Sequence, residues 1–217
     1  MPPEPALFRQ PALALCVAAG LVTVAVVLTV VVSAERLPGV DETWMRWMLD
    51  ARSAFLTDVA RVLNVVGDTG TQVIVRLAVA AVLLTRRWWR RFGAFVVVAL
   101  LTTPISELLK AAVARPRPPY QLVHAGGSAF PSGHALAAAV TSIAIVLAFT
   151  VRGRARAVGL VVAALYVMAM AWSRTELGVH WLTDVMAGAL LGAGLTVGVF
   201  AGAALLPSTA SAEVAAP

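Results

Sequence analysis

Three short polar stretches interrupt an otherwise apolar chain: KAAVARPRP (110–118), PSGH (131–134) and SRTELGVHWLTD (173–184). Their arginines suit phosphate oxygens, because a guanidinium can donate two parallel hydrogen bonds, and lysine adds a compact charge. The second stretch precedes a long apolar run, and the free N–H groups at a helix start bind anions. The residues predicted to bind phosphate are Lys110, Arg117, Ser132, Gly133 and Arg174.

Two histidines stand among these cations and suit proton transfer and nucleophilic attack. His180 and Asp184 are four residues apart, so a helix would place both on one face. The carboxylate can then accept a hydrogen bond from one ring nitrogen and leave the other basic. The acids are too few for a magnesium site, since Glu176 is the only other acid in the three stretches. We therefore predict phosphoryl transfer that uses no metal and no cofactor, with one of the two histidines, His134 and His180, as nucleophile and the other as proton donor.

The order and spacing of these residues resemble the type 2 phosphatidic acid phosphatase superfamily. The matching patterns are Lys-x6-Arg-Pro from position 110, Pro-Ser-Gly-His from 131 and Ser-Arg-x5-His-x3-Asp from 173. The resemblance implies that His180 attacks phosphorus to form a phosphohistidine, that Asp184 orients it, and that His134 protonates the leaving oxygen. It also implies that the five phosphate-binding residues hold the substrate, and that the site faces away from the cytoplasm.

Composition places the chain in a membrane. Of its 217 residues, 60% are apolar and only 13% are charged, against roughly 25% charged in a soluble domain. The net charge of +6 does not indicate a nucleic-acid partner, because arginines are concentrated in the loops RRWWRR (86–91) and RGRAR (152–156) between apolar runs. Such loops are typical of the cytoplasmic side of membrane proteins. The single cysteine, Cys16, excludes an intramolecular disulfide.

The apolar runs predict an all-α, polytopic membrane helix bundle, because several approach or exceed the roughly 20 residues that cross a bilayer. The six predicted transmembrane helices cover about 11–33, 69–85, 92–110, 133–151, 157–173 and 182–206. Between Glu35 and Asp68, apolar residues at helical spacing predict a short amphipathic helix on the membrane surface. These residues are Phe55, Val59, Val62 and Val66. We expect one membrane domain, residues 1–206, followed by a disordered tail, residues 207–217.

Helix length predicts that the three polar stretches meet at one face of the membrane. A helix from Arg91 to Lys110 spans about 28 Å, and helices from His134 and from Arg174 to the arginine loops span about 27 Å each. Lysines and arginines are evenly divided between the two faces. We assign the dense arginine loops to the cytoplasm, which places both termini there and the polar stretches outside.

Four functions are compatible with these residues. The first is a phosphatase acting on a lipid phosphate or lipid pyrophosphate, such as undecaprenyl pyrophosphate, phosphatidate or phosphatidylglycerol phosphate. The second is a phosphotransferase that passes the phosphoryl group to a sugar or lipid hydroxyl. Vanadium haloperoxidases share the motifs but are soluble, and an anion transporter would place its site near mid-bilayer instead of at one face.

Several features remain open in the sequence. The apolar segments do not choose among lipid substrates and do not reveal the oligomeric state. Arg76 and Glu107 lie within apolar runs, where ionisable groups are functional candidates, and His124 matches no motif position. Arg115 is expected to be a charge at the rim of the site.

Overall fold

The structure, a computed structural model, describes residues 7–34, 37–150 and 153–206. Within these residues the regular secondary structure is entirely α-helical, as predicted. The eight helices are α1 (Pro11–Ser33), α2 (Pro38–Ala51), α3 (Ala54–Val66), α4 (Thr69–Thr85), α5 (Trp89–Val113), α6 (Gly133–Phe149), α7 (Arg154–Glu176) and α8 (Leu182–Leu205). The predicted disordered tail, 207–217, lies outside the described residues.

Each predicted transmembrane segment coincides with one helix, namely α1, α4, α5, α6, α7 or α8. Of the helices in the described residues, α1, α5, α7 and α8 are long and apolar enough to cross a bilayer. Helices α3 and α4 together form a possible fifth span that is bent by 51°, and α6 is a shorter apolar helix of 17 residues. The chain is thus a multi-pass membrane protein, and the count of six spans stays a prediction.

The segment between α1 and α4 differs from the prediction of a single surface helix. It forms two helices, α2 and α3, because the backbone of Arg52 is extended and the Ser53 hydroxyl starts a new helix by accepting a hydrogen bond from the Leu56 N–H at 3.3 Å. Phe55 and Val62 are 74% and 64% exposed, so the predicted apolar face points away from the bundle. The opposite face of α3 packs against α7, where Ala60 is fully buried.

Helix α8 lies at the centre of the bundle and packs against α1, α5, α6 and α7. It approaches α6 closely because Gly188 and Gly192 carry no side chain. A Cβ atom at these positions would lie 2.5 Å from the Ser132 carbonyl oxygen and 2.6 Å from that of Leu136. The Ser132 N–H also donates a 3.0 Å hydrogen bond to the carbonyl oxygen of Asp184. The start of α6, within the stretch PSGH, is therefore fixed against the start of α8, where the stretch SRTELGVHWLTD ends.

Accessibility of the two membrane faces tests the predicted orientation. In a Cys16→Ala background, Gly126→Cys places a thiol in the loop between α5 and α6, and Arg154→Cys places one at the opposite face, at the start of α7. Gly126 has open space around its Cα, so the substitution should not disturb the loop. We expect an impermeant thiol reagent on intact cells to label position 126 and not 154, and permeabilised cells to be labelled at both. Labelling of 154 alone in intact cells would contradict the outward orientation.

Candidate active site

One cavity of about 290 Å³ lies at the end of the bundle where the three polar stretches meet. Helices α4, α5, α6 and α7 and the loops at 114–132 and 177–181 enclose it. As the helix lengths predicted, residues from all three polar stretches share its wall. These residues are Lys110, Arg117, Gly133, His134, Arg174 and His180.

His180 lies in the loop between α7 and α8 and is 4% exposed. Its Nδ1 is 2.7 Å from the carbonyl oxygen of Ala129, which can only accept, so Nδ1 carries the proton. The other nitrogen, Nε2, keeps its lone pair and lies 3.4 Å from Nη1 of Arg117. Burial lowers the pKa of His180 below its usual value, and Asp184 only partly opposes this shift. The ring is therefore a neutral imidazole whose Nε2 is unprotonated, the state that a nucleophile requires.

Asp184 lies farther from the ring, with its Oδ2 3.5 Å from Nδ1 of His180. The carboxylate is fully buried and is held mainly by other groups. The N–H of Trp181 donates to Oδ2 at 2.8 Å, and Arg115 donates from Nη1 to Oδ1 at 2.5 Å. Asp184 thus closes the loop that carries His180, while the Ala129 carbonyl oxygen is the nearer acceptor of the imidazole proton.

Arg115 joins this carboxylate to a second one on α2. Its Nη2 donates to Oδ2 of Asp41 at 2.5 Å, and Asp41 is only 1% exposed. Asp41 also accepts hydrogen bonds from the backbone N–H and the hydroxyl of Thr183, at 2.9 and 2.7 Å. The expectation that Arg115 is a rim charge is wrong, because its guanidinium lies between two buried carboxylates. We refer to Asp41, Arg115, Thr183 and Asp184 as the carboxylate network.

His134 is the second residue of α6 and faces the end of α3. A Cβ atom at Gly67 would lie 2.7 Å from Cδ2 of His134 and equally close to Met170, so the ring fits only beside a glycine. The side-chain oxygen of Asn64, near the end of α3, accepts a hydrogen bond from Nη1 of Arg174 at 2.6 Å. Asn64 and Gly67 thus contribute to the site, although they lie outside the three polar stretches.

The three predicted cations differ in how many donors remain for a ligand. Arg174 donates to Asn64 and to Ser173, while its buried Nη2 has no partner among the described residues. Lys110 is 2.8 Å from the carboxylate of Glu107, which lies one turn earlier on α5. Arg117 is largely occupied by backbone carbonyl oxygens, those of Gly126, Gly127, Ser128 and Val179.

The two predicted residues at the start of α6 occupy different positions. The Ser132 side chain is fully buried and caps α6 by accepting from the Ala135 N–H at 3.5 Å. Gly133 reaches the cavity, where a Cβ atom would lie 3.6 Å from the Ser106 hydroxyl oxygen and 4.0 Å from Nζ of Lys110. The residues that the sequence left open, Arg76, Glu107 and His124, also line the cavity.

The chain is similar to a known protein family and to solved structures of membrane phosphatases. The PAP2 superfamily model matches residues 88–205. A transmembrane PAP2-type phosphatidylglycerolphosphate phosphatase from Bacillus subtilis has a similar fold, with a TM-score of 0.75 and 23% identity over 84% of this chain and 93% of that one. LpxE from Aquifex aeolicus aligns with a TM-score of 0.60 and 21% identity over 73% of this chain and 93% of its own. No curated protein sequence matches the chain.

The carboxylate network generates a prediction about Asp41, which lies outside the matched range. Asp41→Asn removes the charge opposite Arg115 and weakens the support of Asp184, so the loop carrying His180 should lose its alignment. We expect kcat for p-nitrophenyl phosphate hydrolysis to fall by about 10- to 100-fold with little change in KM, as for the loss of one hydrogen bond to a charged group. Asp58→Asn, which removes a carboxylate that is 71% exposed on α3, is the matched control. Equal effects of the two variants, or a rise in KM alone, would contradict the positioning role.

Proposed function

Since this chain belongs to the PAP2 superfamily, we propose that it is an integral-membrane phosphatase that hydrolyses a lipid phosphate or lipid pyrophosphate through a phosphohistidine on His180. One observation carries the proposal. The unprotonated Nε2 of a buried, neutral imidazole lies beside a cavity that is also lined by His134 and four cationic side chains. A nucleophile, a proton donor and an anion-binding wall thus share one site.

In the first step, the Nε2 lone pair attacks phosphorus, the P–N bond forms and the bond to the leaving oxygen breaks. His134 transfers a proton to that oxygen, which departs as a neutral hydroxyl. The proton stays on Nδ1, which donates a hydrogen bond to the Ala129 carbonyl oxygen. This oxygen stabilises the positive charge that develops on the ring, and the Asp184 carboxylate, 3.5 Å from Nδ1, adds to that stabilisation. The products of this step are the free lipid alcohol, or the lipid monophosphate, and phosphohistidine.

In the second step, water attacks the phosphohistidine and the P–N bond breaks. His134, now without its proton, accepts one from the water, so that the site returns to its starting state as inorganic phosphate leaves. The negative charge on the transferred group is stabilised by Lys110, Arg117, Arg174 and the N–H of Gly133. Pre-organised donors that stabilise developing charge are usually the largest single source of catalysis. Ser132 acts on the phosphate only through the start of α6, which it caps.

The site lies at the end of the bundle opposite the arginine loops, so we propose that it opens on the extracytoplasmic face and that both termini are cytoplasmic. The lipid substrates then reach the site from the membrane, and their tails stay within the bilayer.

Phosphate release from a panel containing phosphatidate, phosphatidylglycerol phosphate and undecaprenyl pyrophosphate tests the function. Adding a sugar or lipid alcohol and measuring a new phosphate ester separates a phosphotransferase from a hydrolase.

The side chains at the site predict that the reaction does not depend on a metal ion. In the described part of the chain, no group of three or more His, Cys, Asp or Glu side chains is placed to hold a metal ion, and the cavity is lined by cations that would repel one. We expect phosphate release to be unchanged by EDTA and to be inhibited by vanadate, which mimics five-coordinate phosphorus. Loss of activity on chelation that magnesium restores would contradict the metal-free mechanism.

The roles of the two histidines can be distinguished by substrates whose leaving groups differ in basicity. His180→Ala removes the route to the covalent intermediate, so it should be inactive on every substrate. His134→Ala should lose about 10²- to 10⁴-fold on a lipid monophosphate, because an alkoxide needs a proton to leave. It should recover much of the wild-type kcat/KM on p-nitrophenyl phosphate, because kcat/KM reports the first step and this leaving group hardly needs a proton. A lipid pyrophosphate should fall between.

The measurement compares kcat/KM for both variants on the three substrates, relative to the wild-type chain. The wild-type rate on p-nitrophenyl phosphate shows that the small substrate reaches the site. Rescue of His180→Ala by the activated substrate, without rescue of His134→Ala, would reverse the two assignments.

A further inference from the structure

Arg76 lies deep in the bundle, on the face of α4 that lines the active-site cavity. This face is formed by residues three and four positions apart, and it carries Thr69, Gln72, Val73 and Arg76. Arg76 is two turns from the start of α4, about 10 Å farther into the membrane. A charged side chain at such a position is costly and usually has a function.

The contacts of Arg76 leave part of its guanidinium unused. Nε donates a 3.0 Å hydrogen bond to the hydroxyl of Thr141 on α6. Its Nη2 is buried and has no hydrogen-bond partner among residues 7–34, 37–150 and 153–206, and within these residues no carboxylate forms an ion pair with Arg76. A guanidinium that served only to join α4 to α6 would not need this unpaired donor at the cavity wall.

Part of the cavity wall on α5 is polar and uncharged. Thr102 and Thr103 line the cavity there, and Ser106 lines it one turn later. The Ser106 hydroxyl is buried and also lacks a partner in the described part of the chain. Among the described residues, Glu107 alone brings a carboxylate to the cavity wall, and it is paired with Lys110. The deep part of the cavity therefore offers donors and a positive charge, which suit an anion.

We infer that Arg76, with Ser106, binds a second phosphate group of the substrate, between the reacting phosphate and the lipid tail. Thr141, which holds the guanidinium, lies two turns after His134 on α6, so Arg76 is about 10 Å deeper than the catalytic ring and does not hold the reacting phosphate. The inference rests on the proposed function and narrows its substrates. It selects lipids that carry two phosphates, joined either by one oxygen or by a glycerol bridge, over lipid monophosphates.

The inference is tested by the ratio of kcat/KM on matched lipids with two phosphates and with one, using the full chain in detergent. One pair is an isoprenyl diphosphate and its monophosphate, and the other is phosphatidylglycerol phosphate and phosphatidate. For Arg76→Gln, we expect this ratio to fall by about 10- to 100-fold in at least one pair, as for the loss of hydrogen bonds to a charged group. The pair that responds shows whether the two phosphates share an oxygen or are separated by glycerol.

The matched control is Arg61→Gln, which removes an arginine that is 55% exposed on α3 and should leave both ratios unchanged. Unchanged ratios in Arg76→Gln would overturn the inference, including the case in which all rates fall together because Arg76 only ties α4 to α6. Should that variant fail to fold, Arg76→Lys keeps the charge without the two-pronged geometry. Its ratio should fall severalfold, and an unchanged ratio again overturns the inference.

Binding of non-hydrolysable analogues distinguishes failure of this inference from failure of the proposed function. The dissociation constants of an isoprenyl methylenebisphosphonate and an isoprenyl phosphonate are measured for the wild-type chain and Arg76→Gln. A selective loss for the bisphosphonate supports the role of Arg76 even if the wild-type chain releases no phosphate from any lipid, which would overturn only the hydrolase. Absence of wild-type binding together with absence of hydrolysis overturns both.

Discussion

A single backbone hydrogen bond, from the Ser132 N–H to the carbonyl oxygen of Asp184, joins the two polar stretches that carry the histidines. It forms because glycines on α8 let the backbone of α6 approach to a distance at which a Cβ atom would collide. His134 follows one partner of this bond by two residues, and His180 precedes the other by four. Their relative position is therefore set by main-chain packing, which is stiffer than contact between side chains.

A second constraint is that the positive charges within this apolar bundle need hydrogen-bond partners. The arginines of the site differ in how this need is met. Arg115 is neutralised by two buried carboxylates, and Arg117 is surrounded by carbonyl oxygens. Arg174 instead keeps an unpaired donor at the cavity. Arg115 and Arg117 are thus largely satisfied by the protein, while Arg174, like Arg76, keeps a donor with no partner among the described residues. Donors that the protein already holds in place need little reorganisation when negative charge develops on a bound anion.

The sequence predicted the features that depend on local hydropathy patterns and on helix length, namely the helix positions and the face at which the polar stretches meet. Hydropathy located each apolar helix to within a few residues, and helix length brought Lys110, His134 and Arg174 to one face, where they line one cavity. It did not predict the pairing of Arg115 with Asp41, because 74 residues separate them and neither periodicity nor spacing encodes such a contact. The split into α2 and α3 was missed because apolar spacing continues across it, while the helix start at Ser53 depends on one hydroxyl.

The central place of α8 has a consequence for biosynthesis. Helices α1 to α7 are made first and include the cations and His134, but the support for His180 comes from residues at the start of α8, the last helix of the described chain. A nascent protein that has not yet inserted α8 has neither the close contact with α6 nor the buried Asp184. In the described chain, the contacts that position His180 are therefore acquired only when α8 inserts.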